Sequence, residues 1–275
     1  MAVVAVVTGA ASGIGRATAL ALGARGLKVI CADLDADRAG EVGVPYAVDV
    51  GDAEAMERFA AWVLAEHGAP AILVNNAGVG IGGSFFDHTV ADWRRIVDVN
   101  LMGVVHGCLF FGPQLTGRGR GHIVNVASAA AFTPTRMLPA YGATKAGVLM
   151  LSESLRAELA GTGVGVSAVC PGFVATGIYR AARHAGVEAA EESRRRELTE
   201  RLAGRWAPGP EVAARAIIRA IERDRPVVPV TAGAWGAYAL SRISPAAMRR
   251  LARLGGEDPF RVVERLFRSR GAGAE

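Results

Sequence analysis

Apolar runs and amphipathic stretches alternate along most of this chain. Residues 2–8 form an uninterrupted apolar run, typical of a strand buried on both faces of a sheet. Similar runs predict strands near residues 27–35, 45–50, 71–78, 121–128, 165–172 and 225–230. Helical periodicity predicts helices after residue 15 and over about 52–67, 92–112 and 140–160. This alternation predicts one α/β domain with a doubly wound parallel sheet over residues 1–230.

Composition narrows the class of protein. The chain has 275 residues, of which 51% are hydrophobic and 21% charged, enough for a substantial globular core. Cys31, Cys108 and Cys170 lie in separate apolar stretches without metal-ligand spacing, so we predict buried free thiols, no metal site and a cytoplasmic location. The first residues lack the basic region of a signal peptide, and no run reaches the ~18 apolar residues of a membrane span.

The net charge of +5 is concentrated in the last third. Residues 176–275 carry 19 basic and 12 acidic side chains. Such an excess can attract an anionic partner. Both signs interleave over residues 193–205, however, which favours a solvent-exposed helix over a nucleic-acid surface.

The first strand runs directly into a glycine-rich turn that opens a helix. Free N–H groups and the positive dipole end at a helix start suit a pyrophosphate, and glycines permit its close approach. Asp33 ends the second strand, where a carboxylate can accept hydrogen bonds from a ribose and repels a 2′-phosphate. This favours NAD over NADP, with an exposed turn acid as the alternative. The predicted dinucleotide contacts here are Gly9, Ser12, Gly13, Ile14, Gly15 and Asp33.

Later strand ends also carry small or polar residues. Asp49 suits an adenine amino group and Val50 the ring face, whereas Asn75 either contacts the ligand or ties loops together. Because carboxyl ends of parallel strands meet at one edge, we predict a single crevice. The remaining predicted cofactor contacts are Asn76, Ala77, Gly78, Pro171, Gly172, Val174 and Thr176.

Two polar residues lie on the apolar helix predicted at 92–112. Asn100 needs hydrogen-bond partners if it is buried, so it is either a structural plug or the holder of an ordered water. His106 lacks a second ligand or acid at matched spacing, and we interpret it as a core or interface histidine.

Ser128, Tyr141 and Lys145 carry the candidate chemistry. Ser128 ends the fifth strand, and Tyr141 and Lys145 share one helix face at a spacing of four. A phenol with a pKa near ~10 is a poor base at neutral pH, and a nearby cation favours its ionised form. The spacing alone is weak, but Lys145 and Lys28 are the only lysines among 31 basic residues, which argues against generic surface charge.

These motifs together resemble the short-chain dehydrogenase/reductase family over about residues 2–230. TGAASGIG, the Asp33 strand end, NNAG, Asn100, Ser128, YGATK and PGFVAT occur in that family's order. The resemblance implies a Rossmann-like fold and a nicotinamide-dependent oxidoreductase with an Asn–Ser–Tyr–Lys tetrad. It implies that Tyr141 is the acid/base and that Ser128 positions the substrate oxygen. It also implies that Lys145 binds the nicotinamide ribose and lowers the Tyr141 pKa, and that Asn100 anchors a water in a proton relay.

The same resemblance implies a mobile lid over residues 177–206. We predict an apolar substrate wall, which favours a hydrophobic secondary alcohol or ketone as substrate. Its members are Ser128, Ala130, Phe132, Met137, Leu138, Phe173 and Ile178. Two other functions stay open: a non-catalytic dinucleotide-binding regulatory protein, and an NAD-using lyase or epimerase, for which this wall is too apolar.

Residues 231–275 depart from the family pattern. We predict three short amphipathic helices, with Ser244 and Asp258 capping the second and third. They cover the substrate mouth, pair with another subunit or, as the least favoured alternative, lie on an anionic membrane surface. Before them, Pro226 and Pro229 suit an edge strand. We expect a homodimer through the helices near 92–112 and 140–160, or a homotetramer.

Overall fold

A seven-stranded parallel sheet forms the centre of the computed structural model, which describes residues 2–254. Its strands are β1 (Val4–Thr8), β2 (Lys28–Asp33), β3 (Val44–Ala47), β4 (Ile72–Asn75), β6 (Gly121–Val126), β7 (Val164–Cys170) and β9 (Val227–Pro229). A separate pair consists of β5 (Ile81–Gly82) and β8 (Arg183–His184). These two short strands connect the region after β4 to the segment after β7.

Eleven helices surround or flank the sheet in the described part of the chain. They are α1 (Gly13–Gly23), α2 (Ala36–Gly40), α3 (Ala53–His67), α4 (Val90–Val97), α5 (Gly103–Gly117), α6 (Pro139–Glu158), α7 (Ile178–Ala181), α8 (Ala189–Trp206), α9 (Glu211–Arg223), α10 (Ala232–Ile243) and α11 (Pro245–Leu254). A π turn, Asp98–Met102, joins α4 to α5, and a 3₁₀ turn, Ala129–Ala131, follows β6.

The strand order is β3-β2-β1-β4-β6-β7-β9, so the chain winds outward from β1 in both directions. The strand order therefore reverses between β1 and β4, and ligands of such sheets bind beyond the strand ends at this point. All pairings are parallel, for example Ala5 with Val29 on one side and with Ile72 on the other. The predicted doubly wound α/β fold is confirmed.

Two hydrophobic cores lie on opposite faces of the sheet. On one face Val4 and Val6 pack with residues of α3 and α5, such as Phe59. On the other face Ala5 and Val7 pack with α1 and α9. Every residue of β1 is buried, which is why its sequence is continuously apolar instead of alternating.

The long helix predicted at about 92–112 begins earlier, ends later and contains an irregularity. It starts after a capping box between Thr89 and Asp92 and continues through the π turn to Gly117. By length and composition Val90–Gly117 could cross a membrane, but half of its apolar window is buried, as in the core helix of a globular domain. It is weak evidence for a span.

Several strands are shorter than the apolar runs suggested. β3, β4 and β6 end at Ala47, Asn75 and Val126, so the polar residues that follow lie on loops above the sheet. The short β9 forms an edge of the sheet, as its prolines indicated.

Two of the three predicted C-terminal helices lie in the described region. α10 is capped by Thr231, and the Ser244 hydroxyl accepts a hydrogen bond from the Ala247 N–H at 3.2 Å, as predicted for α11. The third predicted helix and its cap, Asp258, lie outside the described residues.

Candidate active site

One cleft gathers most of the predicted site residues at the carboxyl ends of the strands. Its volume is about 370 Å³. Seventeen predicted cofactor or catalytic residues line it: Gly9, Ser12, Gly13, Ile14, Asp33, Asp49, Val50, Asn76, Ala77, Gly78, Ser128, Tyr141, Lys145, Pro171, Gly172, Val174 and Thr176. Val174, Thr176 and Ile178 line it from the segment after β7. Gly15 and Asn100 do not line it.

The glycine-rich turn leaves the start of α1 uncapped. Ser12 is the N-cap residue but makes no side-chain cap hydrogen bond, whereas Asp52 and Thr89 cap α3 and α4. The first N–H groups of α1 are therefore available to an anion in the cleft. Gly9 and Gly13 have φ of 67° and 52°, values that favour glycine. A Cβ on Gly15 would collide with the Gly9 carbonyl, so Gly15 serves packing.

The turn is tied to the end of β4 by reciprocal hydrogen bonds. The Thr8 hydroxyl accepts from the N–H groups of Asn76 and Ala77 at 3.0 and 3.1 Å. The Asn76 amide donates to the carbonyls of Thr8 and Gly9 at 2.9 and 3.2 Å. The Asn75 amide instead donates a hydrogen bond to the buried Asn125 side chain at 2.9 Å. Of the two roles predicted for Asn75, the structure therefore shows the one that ties neighbouring segments together.

Asp33 is held in place by backbone N–H groups. Its two carboxylate oxygens accept hydrogen bonds from Ala11 at 2.9 Å and from Asp35 at 3.2 Å. Each oxygen retains a lone pair for a diol in the cleft. The residues of this end therefore fit a dinucleotide: uncapped helix N–H groups for the pyrophosphate, and a fixed carboxylate for a ribose.

Asp49 has an ion-pair partner that the sequence did not indicate. Its carboxylate accepts from the Gly51 N–H at 2.9 Å and pairs with the Arg95 guanidinium at 3.2 Å. Both side chains line the cleft. His106 is buried and bonds the Val50 carbonyl at 2.8 Å, which confirms it as a core residue.

Ser128, Tyr141 and Lys145 come together at the centre of the cleft. The Lys145 Nζ donates to the Val126 carbonyl at 2.9 Å and lies 5.8 Å from the centre of the Tyr141 ring. The Ser128 hydroxyl accepts from the Ala130 N–H at 3.1 Å and also hydrogen-bonds the Tyr141 phenol.

The pKa of Tyr141 differs from the expectation. Burial raises it, and the hydrogen bond with Ser128 offsets only part of that rise. Desolvation of the phenolate therefore outweighs its neighbours in this structure, and a lowering of the Tyr141 pKa by Lys145 stays a prediction. Burial also lowers the pKa of Lys145 to about 8, with the Cys170 thiol acting in the opposite direction.

Asn100 lies in the π turn and is fully buried. Its amide oxygen accepts from the Val79 N–H at 2.8 Å, and its amide nitrogen donates to the Val79 carbonyl at 2.9 Å. A longer bond of 3.5 Å reaches Thr144 on α6. These bonds fit the structural-plug alternative, since they join the segment after β4 to the helix that carries Tyr141.

The substrate wall is only partly assembled as predicted. Ser128 and Ile178 line the cleft; Ala130, Phe132, Met137, Leu138 and Phe173 do not. Phe132 is buried against Tyr238 of α10, with ring centres 5.0 Å apart. Phe173 is exposed and contacts the Tyr179 ring at a tilted angle, with ring centres 4.9 Å apart.

Tyr179 and Ala181 line the cleft instead. Burial raises the pKa of Tyr179 to about 12, against a backbone hydrogen bond from Val174. The sequence signal that could have identified Tyr179 as a lining residue was the apolar start of the segment after Thr176.

The segment after β7 is attached to the body by a second sheet and an ion pair. β8 pairs with β5, and Arg183 of β8 binds Asp92 of α4 at 2.5 Å. The Asp92 side chain is 1% exposed. Burial opposes its ionisation, but hydrogen bonds from Thr89 and the charge of Arg183 hold its pKa below the ordinary value.

Within residues 2–254, no group of three or more His, Cys, Asp or Glu side chains lies close enough together to bind a metal ion. The three cysteines are free thiols, with Cys31 and Cys170 buried and Cys108 half-buried, and burial raises each pKa to about 12.

The amino-acid sequence matches a protein-family model and is similar to named proteins. Residues 3–186 match the family model described as short chain dehydrogenase. A protein named probable oxidoreductase EphD, from Mycobacterium tuberculosis, is 44% identical over 261 residues. The match covers 90% of this chain and 44% of the relative, so the chain spans less than half the length of that protein.

Solved structures are similar over most of the chain. A short-chain dehydrogenase/reductase from Burkholderia phymatum in complex with NAD has a TM-score of 0.80 and 30% identity, covering 91% of this chain and 95% of the other. Ligand-free aldohexose dehydrogenase from Thermoplasma acidophilum has a TM-score of 0.72 and 28% identity, covering 83% and 92%.

Proposed function

The chain belongs to the short-chain dehydrogenase family, and from this premise we propose that it is an NAD-dependent oxidoreductase of alcohols and ketones. The observation that carries the proposal is the convergence of Ser128, Tyr141 and Lys145 with the uncapped start of α1 in one cleft. A non-catalytic binding protein has no use for a buried ammonium next to a phenol that lines the cleft, since burying that charge lowers stability.

Some residues of the cleft would bind the cofactor or the substrate, and others would transfer the proton. A bound nicotinamide nucleotide would exchange the hydride and, when oxidised, add positive charge next to the phenol. Tyr141 gives or takes the proton at the substrate oxygen, and Ser128 holds that oxygen within reach. Lys145 binds a ribose hydroxyl and favours the phenolate.

Replacing Tyr141 by Phe tests the proposal. We expect turnover to fall by at least about 10³-fold, because the proton donor is lost, while the Kd for NAD changes little. Steady-state kinetics and calorimetric titration of NAD measure the two effects. Tyr238→Phe, outside the cleft, is the matched control. Equal turnover of wild type and Tyr141→Phe would show that this phenol does no chemistry.

We place NAD ahead of NADP because Asp33 presents its carboxylate where a 2′-phosphate would lie. The lining next to Asp33 is uncharged: Ser12 carries no charge, and Leu34 is apolar. Arg95 also lines the cleft, but its guanidinium is paired with Asp49.

For the substrate we propose a hydrophobic secondary alcohol or the matching ketone. Support comes from the side chains around the phenol on the lid side, namely Ile178, Tyr179 and Ala181. NAD-linked oxidation of a panel of alcohols tests the assignment. The panel includes aldohexoses, because a structural neighbour is named for that activity; best turnover on sugars would reject a hydrophobic substrate.

We also propose a homodimer formed through α5 and α6. Leu109 and Met150 on these helices are 60% and 62% exposed, and a contact between two copies would bury them. The three free thiols fit a reducing, cytoplasmic compartment.

A further inference from the structure

The loops that follow β2 and β3 supply the part of the cleft where the base of a dinucleotide is expected to lie. Leu34, Val48 and Val50 line this part with apolar side chains, and Asp49 lies between the last two. Val50 is fixed from behind, because its carbonyl is bonded by the His106 ring at 2.8 Å. Small-molecule pockets combine such apolar walls with a few placed polar groups that set specificity. Asp49 is such a polar group.

Both oxygens of the Asp49 carboxylate are held. The Oδ1 atom accepts a hydrogen bond from the Gly51 N–H at 2.9 Å, within the same loop. The Oδ2 atom accepts one from the Nη1 of Arg95 at 3.2 Å, and Arg95 comes from α4, 46 residues further along the chain. Each oxygen keeps a lone pair that can accept a further hydrogen bond from a ligand. Two elements thus fix the carboxylate plane, and without Arg95 the Oδ2 atom would lose this support.

Arg95 is supplied by a helix that is itself firmly placed. The capping box of Thr89 and Asp92 starts α4, and Ile96, next to Arg95, is fully buried. The ion pair is too exposed to stabilise the fold much, since the side chains of Arg95 and Asp49 are 51% and 37% exposed. Its consequence lies instead in the cleft, which both side chains line.

We propose that Arg95 is a positioning residue, which orients the Asp49 carboxylate so that it accepts a hydrogen bond from the amino group of the cofactor's adenine. A 6-oxopurine such as hypoxanthine carries a carbonyl oxygen at the same place, and two acceptors that face each other form no hydrogen bond. A site built for a hydrogen bond therefore rejects the analogue that lacks the donor. The inference rests on the proposed function and adds selection of the base to the choice of cofactor.

Calorimetric titration with NAD and with nicotinamide hypoxanthine dinucleotide provides the test. The wild-type chain should bind NAD at least about tenfold more tightly, because the oxo base loses a hydrogen bond to a charged acceptor. Arg95→Leu should reduce this ratio of Kd values to about threefold or less, and Arg95→Lys should restore part of it, since a cation returns without the planar guanidinium. Arg94→Leu is the matched control, because Arg94 is exposed on the same helix and does not line the cleft.

The Asp49→Ala background separates orientation of the carboxylate from direct contact with the base. In that background the ratio should be close to one, and adding Arg95→Leu should not lower it further, because Arg95 acts through a carboxylate that is gone. Three results would overturn the proposal: a wild-type ratio in Arg95→Leu, an equal loss in Arg94→Leu, or the same effect of Arg95→Leu with and without Asp49. The last result would mean that Arg95 contacts the base itself.

Binding and turnover together keep this inference apart from the proposed function. If the chain prefers NAD through Arg95 and Asp49 but oxidises no alcohol, the proposed function fails and the role of Arg95 stands. If alcohols are oxidised and the two dinucleotides bind with equal Kd, the role of Arg95 is rejected and the proposed function stands.

Discussion

Lys145 is a charged residue kept where stability alone would disfavour it. Its side chain is buried, and its ammonium donates a hydrogen bond to the backbone carbonyl of Val126. Burial lowers its pKa to about 8 from an ordinary 10.5, so folding penalises the charged form. The penalty is full below pH 8 and disappears as the pH rises to 10.5. Residues of this kind are retained for function at the expense of stability.

Replacing Lys145 by Met should therefore abolish turnover while raising the free energy of unfolding by about 1–3 kcal/mol at pH 7. The gain should shrink between pH 8 and 10.5, because the wild-type lysine becomes neutral in the folded protein there. Urea unfolding across this pH range measures both effects. Lys28→Met at the exposed start of β2 is the control, and a variant less stable than wild type at pH 7 would contradict the account.

Asp33 is predicted to decide between the two nicotinamide cofactors. Asp33→Asn should reduce kcat/KM with NAD by about 10-fold and improve it with NADP, since repulsion of the 2′-phosphate is removed. Asp37→Asn, which changes an exposed acid in the first turn of α2, should change neither value. Steady-state kinetics with both cofactors measure these values. An unchanged ratio of kcat/KM with NAD to kcat/KM with NADP in Asp33→Asn would show that this residue does not select the cofactor.

At the scale of elements, the lid segment is joined to the body by a buried charge. Asp92 both completes the cap of α4 and receives Arg183 from β8, so one carboxylate supports two elements. Breaking a pair with one buried partner leaves that charge unsatisfied, whereas exposed pairs contribute little. The position of the substrate wall thus depends on α4.

Arg183→Gln should raise the substrate KM several-fold and speed proteolysis of residues 185–206, while kcat changes less. A double-mutant cycle with Asp92→Asn should give a coupling free energy of about 1–3 kcal/mol. Arg201→Gln, whose partner Glu197 is 63% exposed, is the control and should cost at most about 0.5 kcal/mol. Coupling near zero would mean that the ion pair does not hold the lid.

The strands, the glycine turn and the Tyr–Lys helix could be predicted because their signals are local. A continuous apolar run, a residue at a strand end and a spacing of four all lie within a few neighbouring residues. Arg95, Tyr179 and the β5–β8 pair could not, since each depends on contacts between segments far apart in sequence. Five of the seven predicted wall residues do not line the cleft, because an apolar side chain near a cleft can equally pack against the core, as Phe132 does.

At the scale of the molecule, acid stability should depend on His122. This residue is buried at the amino end of β6, bonded to Ser167 at 2.8 Å, and burial lowers its pKa to about 4. Asp224 raises that pKa and Arg156 lowers it, each to a smaller extent. In the unfolded chain a histidine titrates near 6.5, so the unfolded state binds more protons between these values.

Unfolding free energy should therefore fall by up to about 3 kcal/mol as the pH drops from 6.5 toward 4. His122→Gln, which has no titrating group, should flatten this dependence above pH 4.5. Below that value Asp92 and Asp224, whose pKa values are lowered, add their own loss of stability. Urea titrations at several pH values distinguish the contributions, and an unchanged slope in His122→Gln would exclude this histidine.

The two border strands of the sheet, β3 and β9, each contain a proline, Pro45 and Pro229. The N–H groups of Val48 and Val230 point inward to Asp33 and Cys170, so alternation directs the nitrogens of both prolines outward. A strand of a neighbouring molecule that paired with either border would lack one backbone hydrogen bond, because proline has no N–H to donate. Edge-to-edge pairing between the sheets of separate copies is therefore disfavoured at both borders, which leaves the helical faces as the more favourable surfaces for contact.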